Sequence, residues 1–520
     1  MKVYYKEMPR RIDAIAGIVI ILMGIALVCF WHHNPEFRAF HVADSFVDAN
    51  QFINGANFRE LGFWKLRFTA DYAVGPEEYH PFYYTHNGPL SEIINGIYQK
   101  FGLVKIEWQR LVCIVWTLLG FFFFYKMLRL LAGATIALWS LLIAVSNPFV
   151  FYWGDNLFFS HQWMLVCLSL YFLIRYIRKP SLTPFFTAWG AFFLVALCNY
   201  ELIPLMAIFV VGLKLFKLES ISVRKLLIFL CAPLIAFCLR NLLVIWAVGY
   251  QIWYRDLIEI FLHRTYGIKT SLMEMYKQVP VIMWDEDPKI PQKFLWLLYI
   301  RLENLYGYGW SLVLIALTFP FLRRWILPQT AASRIYRLIL LFFIMGMGWY
   351  LLFPQHTSAH FHHWPMLFFL PFTCLLWSSA LVGLWQNITR LPAKIICSAV
   401  IICAIVTARI LNFIPPRSFA GIDALRRYEG RVFSTNCVPT LVEYYTKVPA
   451  AFCASEKHFI DLLQGKYKFF LRDDKLNPPQ PEFFFSAYGW NDERLAHYFP
   501  LVERGQDYAI YRLQRKETSQ

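Results

Sequence analysis

Long apolar runs alternate with short polar clusters along the whole chain. A helix rises 1.5 Å per residue, so about 20 apolar residues cross a ~30 Å hydrocarbon core. By that measure the sequence predicts about eleven transmembrane helices. They are placed at 14–31, 110–128, 134–153, 162–177, 184–197, 202–216, 226–248, 310–321, 335–353, 365–385 and 395–411. The fifth and sixth runs are separated only by Asn199, Tyr200 and Glu201. Between runs one and two (32–109) and seven and eight (250–308), aromatic, apolar and charged residues mix without a long apolar core. Phe58-Arg59-Glu60-Leu61-Gly62-Phe63-Trp64-Lys65 is typical, and the pattern suits amphipathic helices lying in the membrane interface. From 414 to 520 the chain turns hydrophilic, with strand-like stretches at 431–434, 466–471 and 508–513 and a helix at 423–428. The fold class expected is therefore a polytopic α-helical membrane protein. Residues 1–413 form its membrane part, with interfacial helices in the two outer loops. Residues 414–520 form a small α/β domain outside the membrane.

Composition agrees: 58% of the 520 residues are hydrophobic and only 16% charged. Soluble domains carry about 45–50% and about 25%. The net charge of +16 is explained by topology, not by nucleic acid. Lys126 and Arg129, Arg175 to Lys179, Lys214 to Lys225, Arg323 to Arg337, and Arg390 to Lys394 all fall on one side of the alternating spans. The short connections opposite, around Asp155, Glu201 and His360, have no Lys or Arg. The positive-inside rule then puts the N-terminus in the cytoplasm and the C-terminal segment outside. The first run is long and lacks a small-residue cleavage site, so it reads as an anchor. Nine of the eleven cysteines sit in apolar runs as packing residues. Cys437 and Cys453, in the tail, are the pair available for a disulfide in an oxidising compartment.

An ionised carboxylate near hydrocarbon costs roughly 2.5–3.5 kcal/mol, so such residues invite a functional hypothesis. Asp44 and Asp48 follow the first span in His41-Val-Ala-Asp-Ser-Phe-Val-Asp48. Asp155 follows the third in Trp153-Gly154-Asp155-Asn156. All three fall on the outer side. Carboxylates around one polar cleft can deprotonate an acceptor and steady an oxocarbenium ion. The plainer reading is that each caps a helix or meets interfacial water.

The order of features tips that balance. Asp48-x-x-x-Phe52-x-x-x-Ala56 leads to Gly62. Then come Asn87-Gly88-Pro89-Leu90, an amphipathic helix ending Phe101-Gly102, Arg110 opening the second span, Asn147-Pro148, and Gly154-Asp155. This resembles the N-terminal half of the GT-C glycosyltransferases, in the branch of protein O-mannosyltransferases and the lipid A aminoarabinose transferase. The pattern covers about the first 200 residues, and the architecture continues to the end. One departure is that the family's first acid is often followed by a second, whereas Ala49 follows Asp48 and Ser45 follows Asp44. Asp48 is preferred, because the downstream aromatic and alanine then fall in register.

The resemblance implies a sugar donor on a polyprenyl phosphate, entering from the bilayer. It also implies an extracytoplasmic glycan, lipid or protein acceptor, with Asp48 as general base and Asp155 positioning a substrate. Cations should stabilise the departing lipid phosphate. The candidates are Lys65 and Arg67 in the first loop and Arg255, Arg264 and Lys269 in the second, against the plain alternative of snorkelling to headgroups. His86 is a further substrate contact. Arg240 lies within the seventh span and is expected to pair with an acid such as Glu201. His356, His360, His362 and His363 read first as an interfacial cluster, next as a contact of His356 and His360 with phosphate or sugar, and last as a divalent metal site. No phosphate loop, dinucleotide turn or nucleophile elbow occurs. The alternative is a transporter or lipid flippase, which favours polar residues at the bilayer midplane and internal repeats. A bacterial inner (plasma) membrane is the expected location.

Overall fold

The computed structural model describes residues 9–33, 45–266, 329–352, 369–387, 391–392, 395 and 422–514. Within these it leaves out 76, 78–79, 86–87, 148–149, 151–152, 437–438, 454–455, 468–479, 488–490 and 507. The expected span at 310–321 and, apart from Ile395, that at 395–411 lie outside the described residues.

Helix α1 (Pro9–His33) turns Ala16, Met23 and Leu27 inward and leaves Ile15, Ile18, Ile21, Leu22 and Ile25 exposed. A helix apolar on every side with bare Ile and Leu on one face is built for lipid, because only there does that face carry no water penalty. Helices α2 (Ser45–Leu61) and α3 (Leu90–Lys100) pair in the first loop. A two-stranded ribbon, β1 (Ala70–Asp71) with β2 (Tyr83–Tyr84), lies between them in sequence. Then follow α4 (Ile106–Ala132), α5 (Ala134–Val145), α6 (Phe159–Arg178), α7 (Leu182–Cys198), α8 (Leu202–Leu215), α9 (Val223–Val248), α10 (Tyr250–Tyr266), α11 (Gln329–Leu352) and α12 (Leu370–Asn387). Three described segments are long and apolar enough to cross a membrane: Arg11–Cys29, α4 and α9. Four shorter apolar helices fall at Ala134–Val145, Leu182–Cys198, Leu202–Leu215 and Leu370–Gly383. The protein is a mostly helical membrane protein.

The membrane core is laid out around α4, which packs against α1, α5 and α6. Helix α6 packs on α7, α7 on α9, α8 on α11, and α5 on α12. The third expected span, 134–153, is corrected. Helix α5 stops at Val145, and the chain turns through Ser146 and Asn147 before reaching Trp153. Proline at 148 explains the stop, because it disfavours helical backbone at the residue before it.

Residues 422–514 fold as a mixed sheet in the order β4-β3-β5-β7-β6. The strands are β3 (Phe433–Thr435), β4 (Ala451–Phe452), β5 (Phe483–Ala487), β6 (Leu501–Arg504) and β7 (Tyr508–Arg512). β3 is parallel to β4 and β5, and β7 is antiparallel to β5 and β6. Helices α13 (Pro439–Thr446), α14 (Glu456–Leu463) and α15 (Asp492–Tyr498) complete the unit. The expected helix at 423–428 is a 3₁₀ helix, Ile422–Tyr428. Lys466 and Tyr467 are not strand. Cys453 is a buried free thiol and Cys437 lies outside the described residues.

Candidate functional site

Asp48 lies in the first turn of α2, where the helix dipole favours a carboxylate. Arg110 lies one turn inside α4, and Asp155 lies in the turn that precedes α6. That turn is held from several directions. Thr117 of α4 donates to the Gly154 carbonyl at 2.7 Å. The Asn156 side-chain oxygen accepts from the Phe158 and Phe159 amides at 2.9 and 3.1 Å, capping α6. A Cβ at position 154 would meet the Val150 carbonyl at 2.5 Å, so the turn closes only on glycine.

These elements bring the two acids to one guanidinium. Arg110 Nη2 donates to Asp48 Oδ2 at 2.9 Å, and its Nη1 lies 3.7 Å from Asp155 Oδ2. The Leu157 amide, two residues after Asp155, donates to Asp48 Oδ1 at 2.8 Å. Relative exposure is 1% for Asp48 and Arg110 and 0% for Asp155. Two carboxylates thus meet one guanidinium where water is excluded. Burial pushes the Asp48 carboxyl up to about 7, Arg110 opposes the rise, and the charge of Asp155 adds to it. A carboxyl poised there can take or give a proton near neutrality.

The surroundings are polar and ordered. Gln51 of α2 donates to Glu92 of α3 at 2.8 Å and accepts from Asn95 at 2.9 Å. Gln99 donates to the Phe52 carbonyl at 2.8 Å. Tyr98 joins α3 to α4 and α6 through Trp116 and His161. Above α2 sits the C-terminal sheet unit. Ala49 and Phe52 share one apolar cluster with Leu441, Val442 and Tyr445. Phe52 also meets Tyr444 edge-on, with ring centroids 5.3 Å apart.

The other sequence candidates are scattered. Asp44, His86, Lys269, His356 and His360 lie outside the described residues. Lys65 pairs with Glu77 on the surface. Arg67 takes positive φ, 52°, and donates to the Trp246 and Ala247 carbonyls at the end of α9. That is a C-capping role, in which a cation meets the negative end of the helix dipole. Arg255 is exposed on α10, and Arg264 lies near that helix's end. Arg240 bonds the Thr85 carbonyl and Asn241 Oδ1 and lies 5.4 Å from the Tyr200 ring centroid. Among the described residues no group of His, Cys, Asp or Glu is arranged to hold a metal. The residue sequence reasoning missed is Arg110. It was legible as a motif position, but its role as the shared partner of both acids was not. The signal was a charge one turn inside an otherwise apolar helix.

No family model and no curated protein matches the sequence. Solved structures do match. The apo structure of ArnT from Cupriavidus metallidurans aligns with TM-score 0.53 and 14% identity, over 96% of this chain and 98% of that one. The chain shares the fold of ArnT. The Archaeoglobus fulgidus oligosaccharyltransferase in its apo form aligns with TM-score 0.51 and 11% identity, over 100% of this chain and 76% of that one. The likeness expected from the N-terminal half is thereby borne out as a shared fold over nearly the whole chain. The likeness to ArnT spans both the helices and the C-terminal sheet unit.

Proposed function

We propose that the protein is a membrane glycosyltransferase that moves a sugar from a polyprenyl phosphate to an acceptor on the extracytoplasmic face. The observation that carries this reading is the buried Asp48–Arg110–Asp155 constellation, with Asp48 poised near neutrality. The shared fold of two transferases supports it. Asp48 takes the proton of the acceptor hydroxyl or amine as that atom attacks the anomeric carbon. The bond from the anomeric carbon to the phosphate oxygen breaks, and its electron pair leaves with the polyprenyl phosphate. Asp155 and Arg110 hold Asp48 in place and set its proton affinity. Of the cations placed above, Arg255 and Arg264 on α10 are assigned to the departing phosphate, with Lys269 beyond them in the same loop. Lys65 and Arg67 are occupied by Glu77 and by the end of α9. The acceptor is a glycan, lipid or protein of the cell envelope, and residues 414–520 form the extracytoplasmic domain that faces it. The membrane is the bacterial inner membrane. A divalent ion at His356 and His360 is an optional addition, checked by transfer after chelation.

The test uses purified protein in vesicles with a labelled polyprenyl-phosphate sugar. Cleavage of the sugar–phosphate bond, with label passing to an acceptor, is expected. Movement of intact glycolipid between leaflets without cleavage would instead make the protein a flippase.

A further inference from the structure

Among the described residues, Glu92 is a buried carboxyl with no ion pair. It lies in the first turn of α3 at 0% exposure. Its Oε1 accepts from Gln51 at 2.8 Å, while Oε2 has no hydrogen-bond partner among the described residues. Gln51 sits three residues after Asp48 on α2, on the same helix face. Both ends of the Gln51 amide are held by α3, its nitrogen by Glu92 and its oxygen by Asn95. The start of α3 is itself immobilised. Gly88, just before it, lies so close to α7 that a Cβ there would meet the Leu197 carbonyl at 1.9 Å. A chain of fixed groups therefore runs from α7 through Glu92 and Gln51 to the helix that carries Asp48.

We propose that Glu92 is a positioning residue for the Asp48 site, a buried acid that holds α2 in register through Gln51. The inference rests on the transferase reading for its kinetic consequence but not for its structural one. Its chemistry follows from burial. Desolvation pushes the Glu92 carboxyl up to about 7, and the Gln51 bond offsets only part of the rise. Among the described residues, Glu92 meets the Gln51 amide on α2 and lies near the Cys198 thiol at the end of α7, and neither is a cation. Asp48 and Asp155 share a guanidinium, and among the described residues Glu92 has no such partner. Protonated, Glu92 is neutral and still accepts from Gln51 through Oε1. Ionised, it leaves a bare charge in a dry seam, and the α2–α3 contact loosens. Transfer should therefore follow a bell in pH near neutrality, rising as Asp48 ionises and falling as Glu92 does.

Three variants of the full-length protein test this. Glu92→Gln keeps the shape and removes the proton. It is expected to fold, to transfer at neutral pH within a few-fold of wild type, and to lose the alkaline limb of the pH profile. Glu92→Ala is expected to lower kcat about tenfold or more with little change in KM. Gln51→Ala combined with Glu92→Ala is expected to shift the unfolding temperature by less than the sum of the two single shifts, since both remove one contact. An infrared titration of wild type against Glu92→Gln should show a protonated carboxyl band that disappears near pH 7. Wild-type kcat in Glu92→Ala, additive unfolding shifts, or a band that titrates near 4.5 each overturns the proposal. Loss of transfer in Glu92→Gln at every pH overturns it too, because the charge itself would then be needed. If wild type transfers nothing, the transferase reading fails, and the unfolding cycle and the infrared band still decide the role of Glu92.

Discussion

Arg110 places one guanidinium between two buried carboxylates, within 2.9 Å of Asp48 and 3.7 Å of Asp155. Removing it with Arg110→Met would take from Asp48 and Asp155 the guanidinium they share. Breaking a buried pair in this way costs about 3–5 kcal/mol, which a fall in unfolding temperature of the detergent-solubilised protein should register. Asp48→Asn removes the base and keeps the shape, so it should fold normally and lose 10²–10⁴-fold in transfer, roughly the value of a positioned general base. The pH dependence follows from the raised carboxyls. Asp48 and Glu92 bind protons more tightly folded, near 7, than unfolded, near 3.8 and 4.5. The unfolded chain therefore ionises first, and stability declines as pH rises from about 4 to about 7, then levels off. Unfolding temperatures measured across that window should show the decline, and Glu92→Gln should flatten part of it. Asp48 and Asp155 were legible in the sequence because carboxylates beside apolar runs are costly. Glu92 was not, because it falls within an amphipathic helix where an acid looks like an ordinary solvated face.

Elements decide how rigidly these residues are presented. The Asp155 turn closes on Gly154 against the Val150 carbonyl, and the start of α3 closes on Gly88 against Leu197. Gly154→Ala and Gly88→Ala each force backbone apart, so both should lower the unfolding temperature and the transfer rate together. An alanine at the open Gly190 on α7, which meets nothing within 4 Å, should change neither. At this scale the sequence was most readable where apolar periodicity ran uninterrupted. The limits expected for the spans at 184–197 and 202–216 agree within two residues with α7 and α8. It was least readable at 134–153, where Asn147 and the following proline end α5 while the apolar composition continues. Arg67 teaches the converse: a loop cation near lipid looked suited to phosphate, and the backbone instead brings it to the carbonyls of α9.

Across the whole molecule, α4 spans the distance between two ionic ends. Arg110 meets Asp48 near its start, and Arg129 meets Asp13 of α1 near its finish. The two arginines lie about 28 Å apart along the helix axis at 1.5 Å per residue, close to the thickness of the hydrocarbon core. Glu219 gathers Arg178 and Arg334 within the basic connections assigned to the cytoplasm. At the site end, the C-terminal sheet unit rests on α2 through Phe52 and Tyr444. Tyr444→Ala should loosen that contact, so residues 422–514 become more sensitive to limited proteolysis and transfer slows while the membrane helices stay folded. No periodicity foretold that contact, because it joins residues almost 400 positions apart. The central claim is that Asp48 removes the acceptor proton during sugar transfer. It is tested most directly by single-turnover transfer from a polyprenyl-phosphate sugar, comparing wild type with Asp48→Asn across pH. The account predicts a wild-type rate with an acid limb that rises toward about pH 7 and an Asp48→Asn rate that is at least a hundredfold lower and lacks that limb. An Asp48→Asn enzyme with wild-type rate and pH profile would contradict it.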